Sequence, residues 1–384
     1  MAAAKIRKAG QPAIRLVGTS ERRIWGLDGG ERLRRTIRRA GFDSEAGVGA
    51  DGLAIVRADY IYDESLIRAL LARPDTALCA VDAAVGEGAR VVAAHLAAAT
   101  ASQVSQEDPA AAARDAGLKT VGPVELAGSY DSGLRKRADP FLLPLDGTPR
   151  IALERATFSG AYKGATDFVT KFLWPWPARH ITRWCADLGI TPNLVTFISL
   201  LLVLLAFWLF WAGQFALGLV AAWGMTLLDT VDGKLARVTL TSTKLGEVFD
   251  HGIDLIHPPF WYWAWYAGLA LGPSAVGSDW LAISLWTIIV GYALGRVEEG
   301  IFLARFGIEL HIWRPVDYWF RTVTARRNPN LAILTLAVIV DAPAHGFVAV
   351  AIWTVLSLVF HLVRIAQAFA IRARGGSIRS WLTE

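Results

Sequence analysis

The pattern of apolar positions divides the chain near residue 155. Beyond residue 193, apolar runs near 194–212, 214–229, 248–270, 280–303, 330–341 and 345–366 recur between short polar turns. Five reach or approach the length of a membrane-crossing helix, and the fifth in order, 330–341, is short for one. Before residue 155 the apolar residues come in short runs. Leu53 to Arg57 has the length and composition of a strand. Asp63 is placed to cap a helix carrying Leu66, Ile67, Leu70 and Leu71, and Glu31 to Ala40 alternates Arg with Leu and Ile at helical spacing. The expected fold is mainly α: a six-helix transmembrane bundle preceded by a small cytosolic α/β domain. The expected organisation is a domain over 1–155, an interfacial segment over 156–190, a membrane domain over 191–374 and a tail over 375–384.

Charge adds an orientation. The turns near 212–215, 271–280 and 341–346 contain no Lys or Arg. Lys234, Arg237 and Lys244 occupy one opposite loop; Arg305, Arg314, Arg321, Arg326 and Arg327 occupy another; Arg364 stands at the end of the last run, and Arg372, Arg374 and Arg379 follow it. The positive-inside rule then places both termini in the cytoplasm, with no signal peptide expected, and the bacterial inner membrane is the expected location. Composition agrees, with 54% hydrophobic residues, 16 Trp and a mean hydropathy of +0.37 over 384 residues. Between the two parts, Thr166 to Leu188 mixes Phe, Trp and Leu with Lys171, Arg179 and Arg183, which suits either a segment in the lipid headgroup layer or a packed connector. Cys79 and Cys185 are too few for a zinc site or a disulfide framework. No nucleic-acid partner is expected.

The chemistry concentrates in one stretch. Asp229, Asp232 and Ala236 lie three and four residues apart, so on a helix they share a face, with the small alanine leaving room beside two carboxylates. Asp250 and Asp254 repeat the arrangement on the next helix. Four carboxylates brought to one point are costly unless cations neutralise them. An all-oxygen donor set favours magnesium, manganese or calcium over zinc. Gly233 removes a side chain where a ligand could approach the backbone, and Arg237 adds a donor suited to phosphate. The set suits a metal-bound diphosphate.

These residues also carry a resemblance. The run Asp229-x2-Asp232-Gly233-x2-Ala236-Arg237-x8-Gly246-x3-Asp250-x3-Asp254 resembles the complete signature of the CDP-alcohol phosphotransferases, and Ile190-Thr191-Pro192-Asn193-Leu194-Val195-Thr196 resembles that family's entry into its first membrane helix. There Thr191 is placed as an N-cap, with Pro192 at the first helical position. The resemblance runs from about residue 160 to about 374. It implies a membrane transferase of phospholipid biosynthesis that moves a phosphoalcohol group, by default phosphatidyl, from a CDP-alcohol to an acceptor hydroxyl and releases CMP. Two divalent cations, Mg2+ or Mn2+, would be held by Asp229, Asp232, Asp250 and Asp254, and Asp254 would also serve as general base. Gly233, Ala236, Arg237 and Gly246 would shape the cytidine diphosphate pocket. The implied partners are CDP-diacylglycerol or another CDP-alcohol, an alcohol or phosphoalcohol acceptor, membrane lipids and, as an open expectation, a second copy in a homodimer.

Other readings stay beside this one. Val56 to Leu71, including Asp59, weakly resembles the metal-binding strand end and helix of nucleotidyltransferases, whereas Gly26 to Leu33 is a poor glycine-rich nucleotide loop. A degenerate regulatory or scaffolding domain is expected there; a working cytidylyltransferase would make the chain bifunctional with a soluble CDP-polyol. Acids on membrane helices also occur in cation or proton transporters, but the far ends of these runs are almost free of ionisable residues. A catalytically silent scaffold has no need of four converging acids. Arg296, Glu298 and Glu299 could line an acceptor pocket, and Arg296 with Glu299 could equally be an ordinary intrahelical pair. The run Arg326-Arg327-Asn328-Pro329-Asn330 could hold an acceptor phosphate or lipid headgroup, or anchor the topology. His251 and His257 are expected to orient neighbours, not to bind metal.

Overall fold

A computed structural model describes residues 11–43, 52–81, 89–242 and 244–383. Two units emerge, residues 1–162 with 237–240 and residues 163–236 with 241–384.

The first unit is α/β. Its strands are β1 (Ala13–Val17), β2 (Leu53–Arg57), β3 (Tyr60–Tyr62), β4 (Thr76–Val81), β5 (Ala89–Leu96), β6 (Lys119–Val121), β7 (Tyr130–Asp131), β8 (Lys136–Arg137) and β9 (Leu142–Pro144). Its helices are α1 (Gly29–Arg39), α2 (Glu64–Leu71), α3 (Ala98–Ala101), α4 (Pro109–Asp115), α5 (Pro123–Ala127) and α6 (Arg150–Gly160). Five strands form one sheet in the order β1-β2-β5-β4-β6, in which β5 runs antiparallel to both neighbours while β1/β2 and β4/β6 are parallel. The run Leu53 to Val56 is buried on both faces, which explains its unbroken apolar character. Asp63 caps α2 by accepting from the Ser65 N–H at 3.0 Å, and Leu66, Ile67, Leu70 and Leu71 pack into the core, as their spacing predicted.

The second unit is helical. A π-helical turn at Val169–Leu173 leads into α7 (Pro175–Asp187), where Pro175 and Pro177 are tolerated because the first-turn N–H groups have no intrahelical partner. Phe172, Leu173, Trp176 and Trp184 on this segment are exposed. The long helices follow: α8 (Pro192–Trp211), α9 (Phe215–Val238), α10 (Lys244–Leu269) and α11 (Ser278–Phe306), then the short α12 (Pro315–Phe320), then α13 (Arg327–Ile339) and α14 (Pro343–Ala373). Thr191 caps α8, its hydroxyl accepting from the Leu194 N–H at 3.3 Å, with Pro192 in the first turn.

All six expected runs are helices. Among the described residues four are long and apolar enough to cross: α8, α9, α11 and α14. The physical reasons are separate for the other two. At 13 residues α13 is about 20 Å long against a hydrocarbon core of about 30 Å. The first turns of α10 carry Glu247, Asp250 and Asp254, and Pro258 and Pro259 lie inside it.

The core of this unit is built from Phe210 of α8, Met225 of α9, Trp261 and Trp265 of α10, and Phe347 of α14. Leu201, Leu204, Leu205 and Trp208 of α8 point outward and are exposed, which suits contact with lipid. Trp261 Nε1 donates to the Val203 carbonyl at 3.0 Å, and Trp223 Nε1 donates to Thr335 Oγ1 at 2.9 Å. Gly268 lets α10 meet the end of α8, since a Cβ there would lie 2.0 Å from the Phe210 carbonyl oxygen. Gly268→Ala is therefore expected to force backbone apart, costing about 1–3 kcal/mol, typical of overpacking. Thermal unfolding in detergent should show a lowered midpoint.

Candidate active site

Helix α9 carries Asp229 and Asp232 one turn apart, with Gly233 and Ala236 following and Arg237 in its last turn. Helix α10 carries Gly246, Asp250 and Asp254. The Asp250 backbone belongs to α10, and its side chain lies outside the described residues. Asp232 is buried, and its Oδ2 accepts from the Thr196 hydroxyl of α8 at 2.6 Å. The Asp229 side chain is 16% exposed and that of Asp254 is 41% exposed, so Asp254 is the acid more open to an incoming molecule.

The structure brings a fourth helix to this place. Arg327, at the start of α13, donates from Nη2 to Asp229 Oδ2 at 2.6 Å and from Nη1 to Asp254 Oδ1 at 2.5 Å. One planar guanidinium thus joins carboxylates from α9 and α10, a geometry for which Arg is suited and Lys is not. Asp229 and Asp254, acids of two different helices, converge on a single positive charge. Among the described residues no three His, Cys, Asp or Glu side chains are spaced to hold a metal ion. The donor set that does converge is all oxygen and already accommodates a cation, which fits a hard divalent ion.

Neighbouring groups fix the segment bearing Arg327. Asn328 Nδ2 donates to Asp167 Oδ1 at 3.0 Å, and the Thr170 N–H donates to the same oxygen at 3.0 Å. Burial opposes ionisation of Asp167, yet the Thr170 N–H, the Arg321 charge and Asn328 hold its carboxyl below the ordinary range. Asn330 Nδ2 donates to the Tyr262 hydroxyl at 2.7 Å, tying α13 to α10.

A second charged cluster sits around Glu299 of α11. Arg296 approaches it at 3.4 Å, the intrahelical pair its spacing allowed. Arg326 also pairs with Glu299, and His311 Nε2 lies 3.1 Å from it. Burial lowers the His311 pKa to about 3 although the Glu299 carboxylate opposes this. Asp317 receives a two-pronged bond from Arg364 at 2.5 and 2.9 Å. His257 is buried with Nδ1 2.7 Å from the Ile253 carbonyl, an intrahelical contact.

Sequence reasoning assigned Arg327 no role toward the acids, and it made nothing of the contacts of Thr196 and Asp167. Arg327 is 73 residues from Asp254 and 98 from Asp229, and no local periodicity reports such a contact. Its one visible sign was a pair of arginines followed by a helix start.

Fold and site together define an integral membrane protein with an acidic site between helices. Residues 189–371 match the family described as CDP-alcohol phosphatidyltransferase. The chain is similar to the ethanolaminephosphotransferase 1 of Mus musculus, at 35% identity over 86 residues, 22% of each protein. It is similar to the archaetidylinositol phosphate synthase of Pyrococcus horikoshii, at 29% identity over 50% of this chain and 90% of that one. A crystal structure of Mycobacterium tuberculosis phosphatidylinositol phosphate synthase in complex with manganese and citrate matches 49% of this chain and 88% of that chain, with 22% identity and a TM-score of 0.38. The chain spans less than half the length of the vertebrate ethanolamine- and cholinephosphotransferases it resembles.

Proposed function

We propose that the protein is a membrane transferase that moves a phosphoalcohol group, by preference phosphatidyl, from a CDP-alcohol to an acceptor hydroxyl and releases CMP. The observation that carries this reading is the convergence of Asp229 and Asp254 on one cation, inside the segment that matches the family. Asp229, Asp232, Asp250 and Asp254 are the residues that would hold Mg2+ or Mn2+. When bound, such ions withdraw charge from the transferred phosphorus and stabilise the departing phosphate.

The chain's own groups supply the rest. Asp254, the more open acid, takes the proton of the acceptor hydroxyl as its oxygen forms a bond to phosphorus. The bond from that phosphorus to the CMP oxygen breaks, and CMP leaves. Thr196 fixes the Asp232 carboxylate by donating to it, so its orientation is set before ligand arrives. Gly233, Ala236, Arg237 and Gly246 shape the space for the cytidine diphosphate. Loop charges orient the site and both termini toward the cytoplasm, where exposed aromatics of α7 and its preceding turn meet the headgroup layer. In the α/β unit, Arg57 pairs with Asp59 at 2.6 Å, and this unit is read as a regulatory or scaffolding domain.

The test uses the purified full-length chain in nanodiscs, with CDP-diacylglycerol and a soluble CDP-alcohol as alternative donors and a panel of alcohols and phosphoalcohols. CMP release matched by a new lipid in mass spectra is expected with CDP-diacylglycerol. CMP from the soluble donor alone would reassign the donor; no CMP from either would leave a transporter or scaffold. CTP with a phosphoalcohol should yield no CDP-alcohol.

A further inference from the structure

The pairing of Arg327 with two of the acids raises a question of charge. A guanidinium between Asp229 and Asp254 relieves the repulsion of carboxylates beside a membrane, and it occupies oxygen atoms that a divalent cation would use. Two cations at the same pair of carboxylates repel each other strongly at a partly buried site, where water screens little. Both states cannot share one arrangement of Arg327.

The surroundings of Arg327 permit the side chain to move while its backbone stays. Asn328, its neighbour, is buried and held by Asp167 and Thr170, so the start of α13 is pinned. The guanidinium itself is held, apart from the acids, by weak contacts, to Met225 Sδ at 3.7 Å and to Asn328 Oδ1 at 3.4 Å. Once the acids are given to another cation, little else keeps it in place. Arg has a long side chain and stays charged, so on release it remains beside the site as a donor for phosphate.

We infer that Arg327 is a counter-cation that competes with divalent metal for the acidic site: its guanidinium bridges Asp229 and Asp254, yields them to divalent metal, and then turns to the diphosphate of the donor. This rests on the metal-dependent reading of the site given above. In this role Arg327 offsets the repulsion of the two acids and sets the metal affinity low until substrate arrives. It competes with metal alone and cooperates with metal plus diphosphate.

The test is Mn2+ binding by the full-length protein in nanodiscs, measured by calorimetry without nucleotide and again with CDP. Without nucleotide, Arg327→Gln is expected to bind Mn2+ about tenfold more tightly or better, about 1.4 kcal/mol. Arg327→Lys, whose single ammonium cannot bridge two carboxylates as a guanidinium does, should fall between Arg327→Gln and wild type, and it carries the test if Arg327→Gln does not purify as a monodisperse protein. Metal-free Arg327→Gln should unfold at a lower temperature than wild type, with a larger gain on adding Mn2+. With CDP present the order should reverse, the wild type gaining more affinity for Mn2+ than either variant. Equal or weaker Mn2+ binding by the variants without nucleotide overturns the displacement, and an unreversed order with CDP overturns the turn toward diphosphate. Absence of Mn2+ binding in wild type as well would overturn the metal-site reading and this inference with it.

Discussion

Asp232→Asn should leave less than about 1% of wild-type turnover while the protein still inserts and purifies normally. Even a partner that only orients a metal ligand is typically worth about 10- to 100-fold. Asp232 would be a ligand itself, so its loss should exceed that range, and excess Mg2+ or Mn2+ should rescue activity only in part. Asp232 is buried and bonded to Thr196 at 2.6 Å, so the isosteric amide keeps the volume and one acceptor oxygen. The fold is accordingly expected to survive. Thr196→Val removes the donor and leaves the carboxylate, so its loss should fall inside the 10- to 100-fold range. Initial rates of CMP release over a metal titration separate the two. Near-normal turnover of Asp232→Asn at low metal would remove Asp232 from the site.

The second large effect belongs to Asp254. General-base catalysis typically contributes about 10²- to 10⁴-fold, so Asp254→Asn should lose that much of the chemical step while still binding CDP with Mg2+. Gly233→Leu should fail in the opposite way, losing CDP binding through bulk while Mn2+ binding persists. Calorimetry with CDP in the presence of Mg2+ distinguishes them. Should Asp254→Asn lose CDP as completely as Gly233→Leu, Asp254 is chiefly a ligand, and the proton must pass to another group, such as the acceptor's own phosphate.

Local features were legible in the sequence because local physics produces them. Thr191 before Pro192 is a cap whose hydroxyl meets an N–H three residues on, and Asp63 caps α2 at the turn where the apolar spacing begins. The strand Leu53 to Arg57 follows from a short unbroken apolar run, and the buried face of α2 from a period of three to four. The acids of α9 and α10 were legible by spacing, since Asp229 with Asp232 and Asp250 with Asp254 lie one turn apart. Residues that act across the fold were not. Thr196 reaches Asp232 over 36 residues and Asn328 reaches Asp167 over 161, and each is an unremarkable polar residue in its own segment. Arg327 stood in a basic run whose average meaning is topology, whereas its partners are set by where α13 docks. Helix lengths were less legible than helix positions, because hydropathy reports apolar content and a 13-residue helix such as α13 has the same content as a span.

The central claim is that these acids hold a divalent cation against the diphosphate of a CDP-alcohol. Pulsed electron paramagnetic resonance of Mn2+ bound to the full-length protein with CDP measures this, because phosphorus within coordination distance of manganese imprints a hyperfine coupling. The account predicts ³¹P coupling to protein-bound Mn2+ in wild type and its loss in Asp232→Asn. Mn2+ that keeps the spectrum of the free hydrated ion, or a phosphorus coupling that persists unchanged in Asp232→Asn, would contradict it.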